Sequence, residues 1–189
     1  MMGVSREKLR AYSDLLLKWN NSINLISSST IHEVLERHIN DSLQLLSFIQ
    51  KDISIIDLGS GGGVPGVILS LAGVKKITLI ESDSRKAAFL LQAAKLSDET
   101  IIVVNDRLEN LVGLECDIVT SRAFADLNKI FDLSQNIKIK DKYLLHKGKK
   151  YQEEIFEAKK HWLFDSKVHD SITSESGKIL EITNVTHIS

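Results

Sequence analysis

The chain reads as an α/β fold: a Rossmann-like, doubly wound parallel sheet with an antiparallel last strand, behind a small N-terminal helical cap. Three observations predict it. From residue 51 onward, strand-like apolar runs alternate with helix-like periodic stretches, the pattern of a parallel sheet covered on both faces. The first of those runs passes straight into a glycine cluster and a second apolar run, IIDLGSGGGVPGVIL at Ile55–Leu69. The last two strand-like runs, LFDSKVHD and KILEITNV, are separated only by SITSESG. That spacer is too short for a crossover helix, so the two form an antiparallel hairpin at one sheet edge.

The elements follow in order. In Ser5–Asn20, residues Leu9, Tyr12, Leu15, Leu16 and Trp19 recur at helical spacing. Thr30 opens T-I-H-E, a capping box with Glu33 as reciprocal partner, and predicts a long helix to about Ile49. Strands are expected at ISIIDLG, KITLIE, TIIVVN, CDIVTSR and KYLLHKG, and helices at Val64–Leu71, Ser84–Lys95, Asp126–Gln135 and Tyr151–Lys160. The segment after TIIVVN is too short to assign. The boundaries are a helical cap over residues 1–50 and a nucleotide-binding domain over residues 51–189.

Composition limits the function classes. The 189 residues are 43% apolar and 26% charged, as in a soluble domain with a sizeable core. No apolar run approaches the roughly 18 residues of a membrane span. The opening MMGVSREKLR is charged and lacks the apolar core of a signal peptide, so a cytoplasmic protein without a membrane partner is expected. The lone Cys116 has no partner for an internal disulfide and lies in the mostly apolar CDIVTSRAF, which predicts a buried structural thiol. A net charge of −1 makes no global case for nucleic acid, so any such role must rest on local patches. No histidine or cysteine pair has zinc-site spacing and no G-x-S-x-G elbow is present, so neither a metal nor a serine nucleophile is expected.

The glycine turn raises the question of which nucleotide it serves. Gly61, Gly63 and Gly66 fit G-x-G-x-x-G, and Glu81, 20 residues beyond Gly61, is placed to hold a ribose hydroxyl. Two residues argue against a pyrophosphate. Asp57, at the strand's end, would repel a diphosphate and suit a cationic ligand. Pro65 removes a backbone N–H from the helix start. S-adenosylmethionine, with a sulfonium, an α-ammonium and no phosphate, matches better. The plainer alternatives are that Asp57 ties down the turn and that Glu81 is a helix N-terminal acid.

The stretch D-L-G-S-G-G-G-V-P-G is similar to the first motif of class I S-adenosylmethionine-dependent methyltransferases. Together with W-N-N-S-I-N-L at Trp19–Leu25, R-H-I-N-D-S at Arg37–Ser42, S-R-A-F-A at Ser121–Ala125 and L-H-K-G at Leu145–Gly148, it resembles the RsmG (GidB) family. Those bacterial enzymes make 7-methylguanosine in the 530 loop of 16S ribosomal RNA. The resemblance implies a methyltransferase domain over 51–189 and 16S rRNA in the small ribosomal subunit as the partner. It further implies that Gly59 and Val64 contact the cofactor in the first turn. Leu108 and Glu109, in N-D-R-L-E, would flank the adenine, and Glu81 would take the ribose position. Arg122 would lie near the cofactor's methionine end and the substrate. His146 departs from the family pattern, which has a small or apolar residue before K-G.

For the RNA, the densest basic segment runs from Lys138 to Lys150 and contains Lys138, Lys140, Lys142, Lys147, Lys149 and Lys150. If Lys138–Lys142 is extended, period-two alternation puts its lysines on one face, for phosphate contact or simply for solvation. Lys147 ends a strand on the cofactor side and, with Arg122, is the candidate to grip the guanine or its phosphate. Arg37, His38 and Asp41 lie within about one helical turn, either as an ordinary polar face or as a group closing the site. A monomer is expected. The rivals are a small-molecule methyltransferase of the same fold, a nicotinamide-dependent oxidoreductase and a non-catalytic RNA-binding module.

Overall fold

A computed structural model describes residues 4–27, 33–50 and 52–188. Helix α1 (Arg6–Asn20) starts on Ser5, whose hydroxyl accepts from the Lys8 N–H, and buries Tyr12 and Leu16. The expected capping box at Thr30 lies outside the described residues. The long second helix does not form as a regular α-helix. Leu35–Asn40 is a wide π turn, Asp41–Leu43 (α2) a single α turn, and Gln44–Phe48 a tight 3₁₀ segment. Two carbonyls of this segment accept from side chains. That of Arg37 accepts from Arg122, and that of His38 accepts from the Ser42 hydroxyl at 2.6 Å, so side chains compete with the backbone ladder.

Among the described residues the strands are β1 (Ser54–Leu58), β2 (Lys76–Ile80), β3 (Thr100–Val104), β4 (Leu114–Arg122), β5 (Ile137–Lys147), β6 (Trp162–Asp170) and β7 (Lys178–His187). They form one sheet in the order β3-β2-β1-β4-β5-β7-β6. All neighbours pair parallel except at β7, which runs against both β5 and β6. The hairpin therefore sits at the edge, with its second strand inserted between β5 and its first. The short segment after β3 forms a 3₁₀ turn at Leu108–Asn110.

Helices α3 (Gly66–Leu71), α4 (Ser84–Ala94), α5 (Leu127–Ser134) and α6 (Tyr151–Ala158) cover the sheet. Alternation along the strands splits the core in two. Ile55, Ile77, Ile118 and Leu144 face α3, α4 and the cap, while Ile56, Val119, Leu145 and Leu180 face α5 and α6. Tyr12, Leu16, Ile39 and Leu45 of the cap belong to the first of these clusters, so one core spans the junction at residue 50. Cys116 is buried in the second, and burial pushes its thiol up to about 12.

The three lysines of the stripe share one face, as alternation expects, but their charges are taken up by carboxylates. Lys138 and Lys140 both reach Glu115, but the β4–β5 register slips between Cys116 and Ile118, so Lys142 lies opposite Ile118 and approaches Glu181 at 3.8 Å. Ile137, Ile139, Tyr143 and Leu145 all pack in the second cluster, so the even-numbered Lys138, Lys140 and Lys142 keep to the opposite face. No helix among the described residues is long and apolar enough to cross a membrane.

Candidate functional site

The strand order reverses between β1 and β4, and the carboxyl ends there open a crevice. Leu58 leads into the glycine turn, where Gly59 and Gly61 have φ of +63° and +51°, the left-handed region that glycine enters without steric cost. Gly66 is needed for another reason. A Cβ there would lie 2.3 Å from Leu79 Cδ2 and 2.9 Å from Asp57 Oδ2. The turn is braced from the cap, since the Tyr12 hydroxyl donates to the Gly62 carbonyl at 2.5 Å. It runs on through Pro65, so α3 begins at Gly66 and not at Val64.

Asp57 lies beneath this turn and is fully buried. Its Oδ1 accepts from the Thr120 hydroxyl at 3.1 Å and its Oδ2 from the Gly66 N–H at 3.3 Å. Burial pushes its carboxyl up to about 7, against the pull of those hydrogen bonds. Asp57 therefore ties down the turn, the plainer of its two readings. Glu81 is equally engaged: one oxygen accepts from the Gly61 N–H at 2.9 Å and the other from the Asp83 N–H at 2.8 Å. The N-cap of α4 is Asp83, not Glu81.

A cavity of about 350 Å³ lies over this turn, walled by Gly59, Gly61, Glu81, Leu108 and Glu109. Five of the candidate residues thus come together. Val64 does not line it; its side chain is buried in the cap-facing core. Phe124, which nothing in the sequence singled out beyond its place in S-R-A-F-A, also lines the cavity and packs where a Cβ on Gly59 would be.

A second cavity, about 450 Å³, lies beside the first, and Ala123 belongs to the walls of both. Arg37, His38, Arg122 and Lys147 line this second space, so Arg122 faces it and not the first. Arg122 is held by the cap. Its guanidinium donates to the Arg37 carbonyl, to Asp41 Oδ2 at 3.1 Å and to His38 Nδ1. Because guanidinium only donates, His38 Nδ1 is its acceptor; burial, then Arg122, lowers that imidazole to about 4. His146 donates from Nε2 to the Asp41 carbonyl at 2.8 Å, and burial lowers its pKa too. Lys147 Nζ donates to the Ala125 carbonyl and to Glu154, both at 2.7 Å, and its side chain is 6% exposed. Lys149 and Lys150 are exposed but diverge: Lys149 joins Arg37 on an outer groove, whereas Lys150 flanks α5 and α6.

Sequence reasoning missed the loop from Ser171 to Gly177, which closes the second cavity and is tied to Asp41 and Gln44. Its only signal was a run of hydroxyl residues in a short spacer. No group of three or more histidine, cysteine or acidic side chains is placed to hold a metal among the described residues.

A glycine turn and an acidic second strand end at the switch point, in a sheet whose seventh strand is reversed, define a class I methyltransferase fold. A TehB-like S-adenosylmethionine-dependent methyltransferase from Corynebacterium glutamicum superposes with a TM-score of 0.62 at 11% identity, covering 93% of this chain and 98% of its own. The family model for GidB, rRNA small subunit methyltransferase G, matches residues 5–183, and the chain belongs to that family. The Ribosomal RNA small subunit methyltransferase G of Rickettsia felis is 52% identical over 192 residues, covering 100% of both chains. That of Rickettsia prowazekii is 53% identical over 183 residues, covering 96% of this chain and 95% of its own.

Proposed function

We propose that this chain transfers a methyl group from S-adenosylmethionine to nitrogen 7 of a guanine in small-subunit ribosomal RNA. The carrying observation is the pair of cavities that share Ala123, one over the glycine turn and one under the cap. A donor in the first and a base in the second would meet at that wall. Family membership makes the base one of ribosomal RNA.

The first cavity suits an adenosine without phosphates. At the start of α3, Pro65 has no N–H and the Gly66 N–H is already given to Asp57, so the usual anion cradle lacks donors. Gly59, Gly61, Glu81, Leu108 and Glu109 would hold S-adenosylmethionine, which would supply a methyl on a positively charged sulfur to the guanine N7 lone pair, the pair of the broken S–C bond staying on sulfur. No proton leaves, so no general base is required. The residues' task is to position the guanine and exclude water.

Arg122 and Lys147 are candidates for that task through the walls they hold. Both cations are already engaged by protein acceptors, so Arg122 keeps the cap over the base cavity and Lys147 joins β5 to α6 and the Ala125 carbonyl. Exposed Lys149, at the outer groove, is better placed for phosphates, with Arg37 beside it sharing its guanidinium with Glu33 at 2.9 Å. Mass spectrometry of small-subunit RNA, after incubation with the protein and isotopically labelled S-adenosylmethionine, tests this reading. Labelled 7-methylguanosine is expected; label only on another atom, or only on a metabolite, would overturn it.

A further inference from the structure

Nitrogen 7 of a stacked guanine in an A-form helix lies in a groove too deep and narrow for a protein to enter, so the base must leave its stack to be methylated. Something must then oppose its return. The loop joining β6 to β7 has the chemistry for this. Its backbone is held rigidly against the cap: the Ile172 N–H donates to Gln44 Oε1 at 3.0 Å, and Gln44 Nε2 donates to Ser171 Oγ at 3.2 Å. The Thr173 hydroxyl donates to Asp41 Oδ1 at 2.8 Å, and the Ser171 N–H closes the loop on the Gly177 carbonyl at 3.1 Å. Buried Gln44 thus ties this loop to the cap, its Nε2 also donating to Asp41 Oδ1 at 2.6 Å.

On that fixed platform the Ile172 side chain is 82% exposed. A lone exposed apolar residue is ordinary, and Val112 and Phe156 are others. Ile172 differs in position. Its neighbours Ser171 and Thr173 line the base cavity, and Thr173, Ser174 and Ser176 continue into the outer groove with Arg37 and Lys149. Ile172 itself lines neither space, but the residues on either side of it form the rim of the base cavity, next to a groove that carries Glu33 and Glu175 as well as the two cations.

We propose that this loop is an RNA-gripping element and that Ile172 is an apolar wedge, filling the gap in the stack left by the target guanine. Insertion of a small apolar side chain beside an unstacked base offsets part of the lost stacking. The Ser174 and Ser176 hydroxyls are placed to meet sugar hydroxyls or phosphate oxygens along the same strand. The inference rests on the proposed RNA substrate and adds the element that extrudes the base.

The test uses a naked small-subunit RNA stem-loop containing the methylated guanine, with 2-aminopurine as its neighbour. Wild-type protein should raise the 2-aminopurine fluorescence as the stack opens. Ile172→Ala and Ile172→Asn should lose most of that rise and about tenfold in kcat/KM, while Ile172→Leu keeps both. Melting temperature and S-adenosylmethionine affinity should not change. A substrate with an abasic site beside the target, where little stacking remains to be broken, should restore the alanine variant. If all variants match wild type on RNA that wild type methylates, the wedge is wrong and the methyltransferase reading stands. A defect confined to assembled subunits would assign Ile172 to a protein contact and also overturn the wedge. Failure of wild type to methylate any RNA would bring down both.

Discussion

Asp57 and the two cap-facing histidines titrate in opposite senses. The Asp57 carboxyl, pushed up to about 7 by burial, keeps its proton where an unfolded aspartate, near about 3.9, has lost it. Its contribution to stability therefore falls as pH rises from about 4 to 7. His38, lowered to about 4, and His146, lowered as well, refuse protons that unfolded imidazoles accept below about 6.5, so their contribution rises with pH over that window. The two trends offset each other in the wild-type melting curve alone. The difference between wild type and Asp57→Asn isolates one of them, and it should shift in favour of the variant from about pH 5 to pH 8. A flat difference would mean that the buried charge carries no penalty. The glycines separate strain from contact. Gly61→Ala meets only the Gly59 carbonyl, at 3.7 Å, so it should cost the left-handed strain of about 1–2 kcal/mol and little else. Gly59→Ala would place its Cβ 2.2 Å from the Phe124 ring that lines the cofactor cavity, so calorimetric titration should show the larger loss of S-adenosylmethionine affinity there.

At the scale of elements, the irregular cap segment and the end of β4 form one unit. Arg122 donates to two cap acceptors through one nitrogen and to His38 through another, and Asp41 also accepts from Gln44 and Thr173. Arg122→Ala takes one donor from each of these acceptors in a half-buried setting, a loss of about 1–3 kcal/mol. Amide hydrogen exchange should quicken across residues 35–48 and 171–177, and methyl transfer should slow, with cofactor affinity little changed. Arg122→Lys should fare almost as badly, because one ammonium cannot span the same fork of acceptors. Unchanged exchange in both variants would detach the cap from Arg122.

For the whole molecule, the two cavities on one rigid sheet link cofactor binding to global stability. A ligand that binds only the native state at about 100 times its dissociation constant adds roughly 2.7 kcal/mol. S-adenosylmethionine should therefore raise the melting temperature clearly, and NAD should not, since the start of α3 lacks free donors for a pyrophosphate. The opposite ranking would contradict the reading of Asp57 and Pro65. At a net charge of −1 the chain has no general attraction for RNA, so binding should depend on the local groove at Arg37 and Lys149 and weaken as salt rises.

Sheet strands, their alternation and the glycine turn were legible in the sequence because period-two burial, glycine at positive φ and the short SITSESG spacer are local constraints written residue by residue. The class of cofactor was legible for the same reason: Pro65 and Glu81 have fixed places relative to one strand–turn–helix unit. Tertiary structure decided where each charge ends. Asp57 looked available to a ligand but is spent on Thr120 and Gly66, and Arg122 and Lys147 looked like free grips but are engaged by the cap and by Glu154. It also set the winding of the expected second helix, which runs on to Phe48 but is π over Leu35–Asn40, where the Arg37 carbonyl accepts from Arg122. Partners 81 to 132 positions apart, such as Asp41 with Arg122 and with Thr173, leave no mark in local periodicity. Only the packing of cap, switch point and edge hairpin brings them within hydrogen-bond reach, where a buried polar group must find a partner or bear the cost of having none.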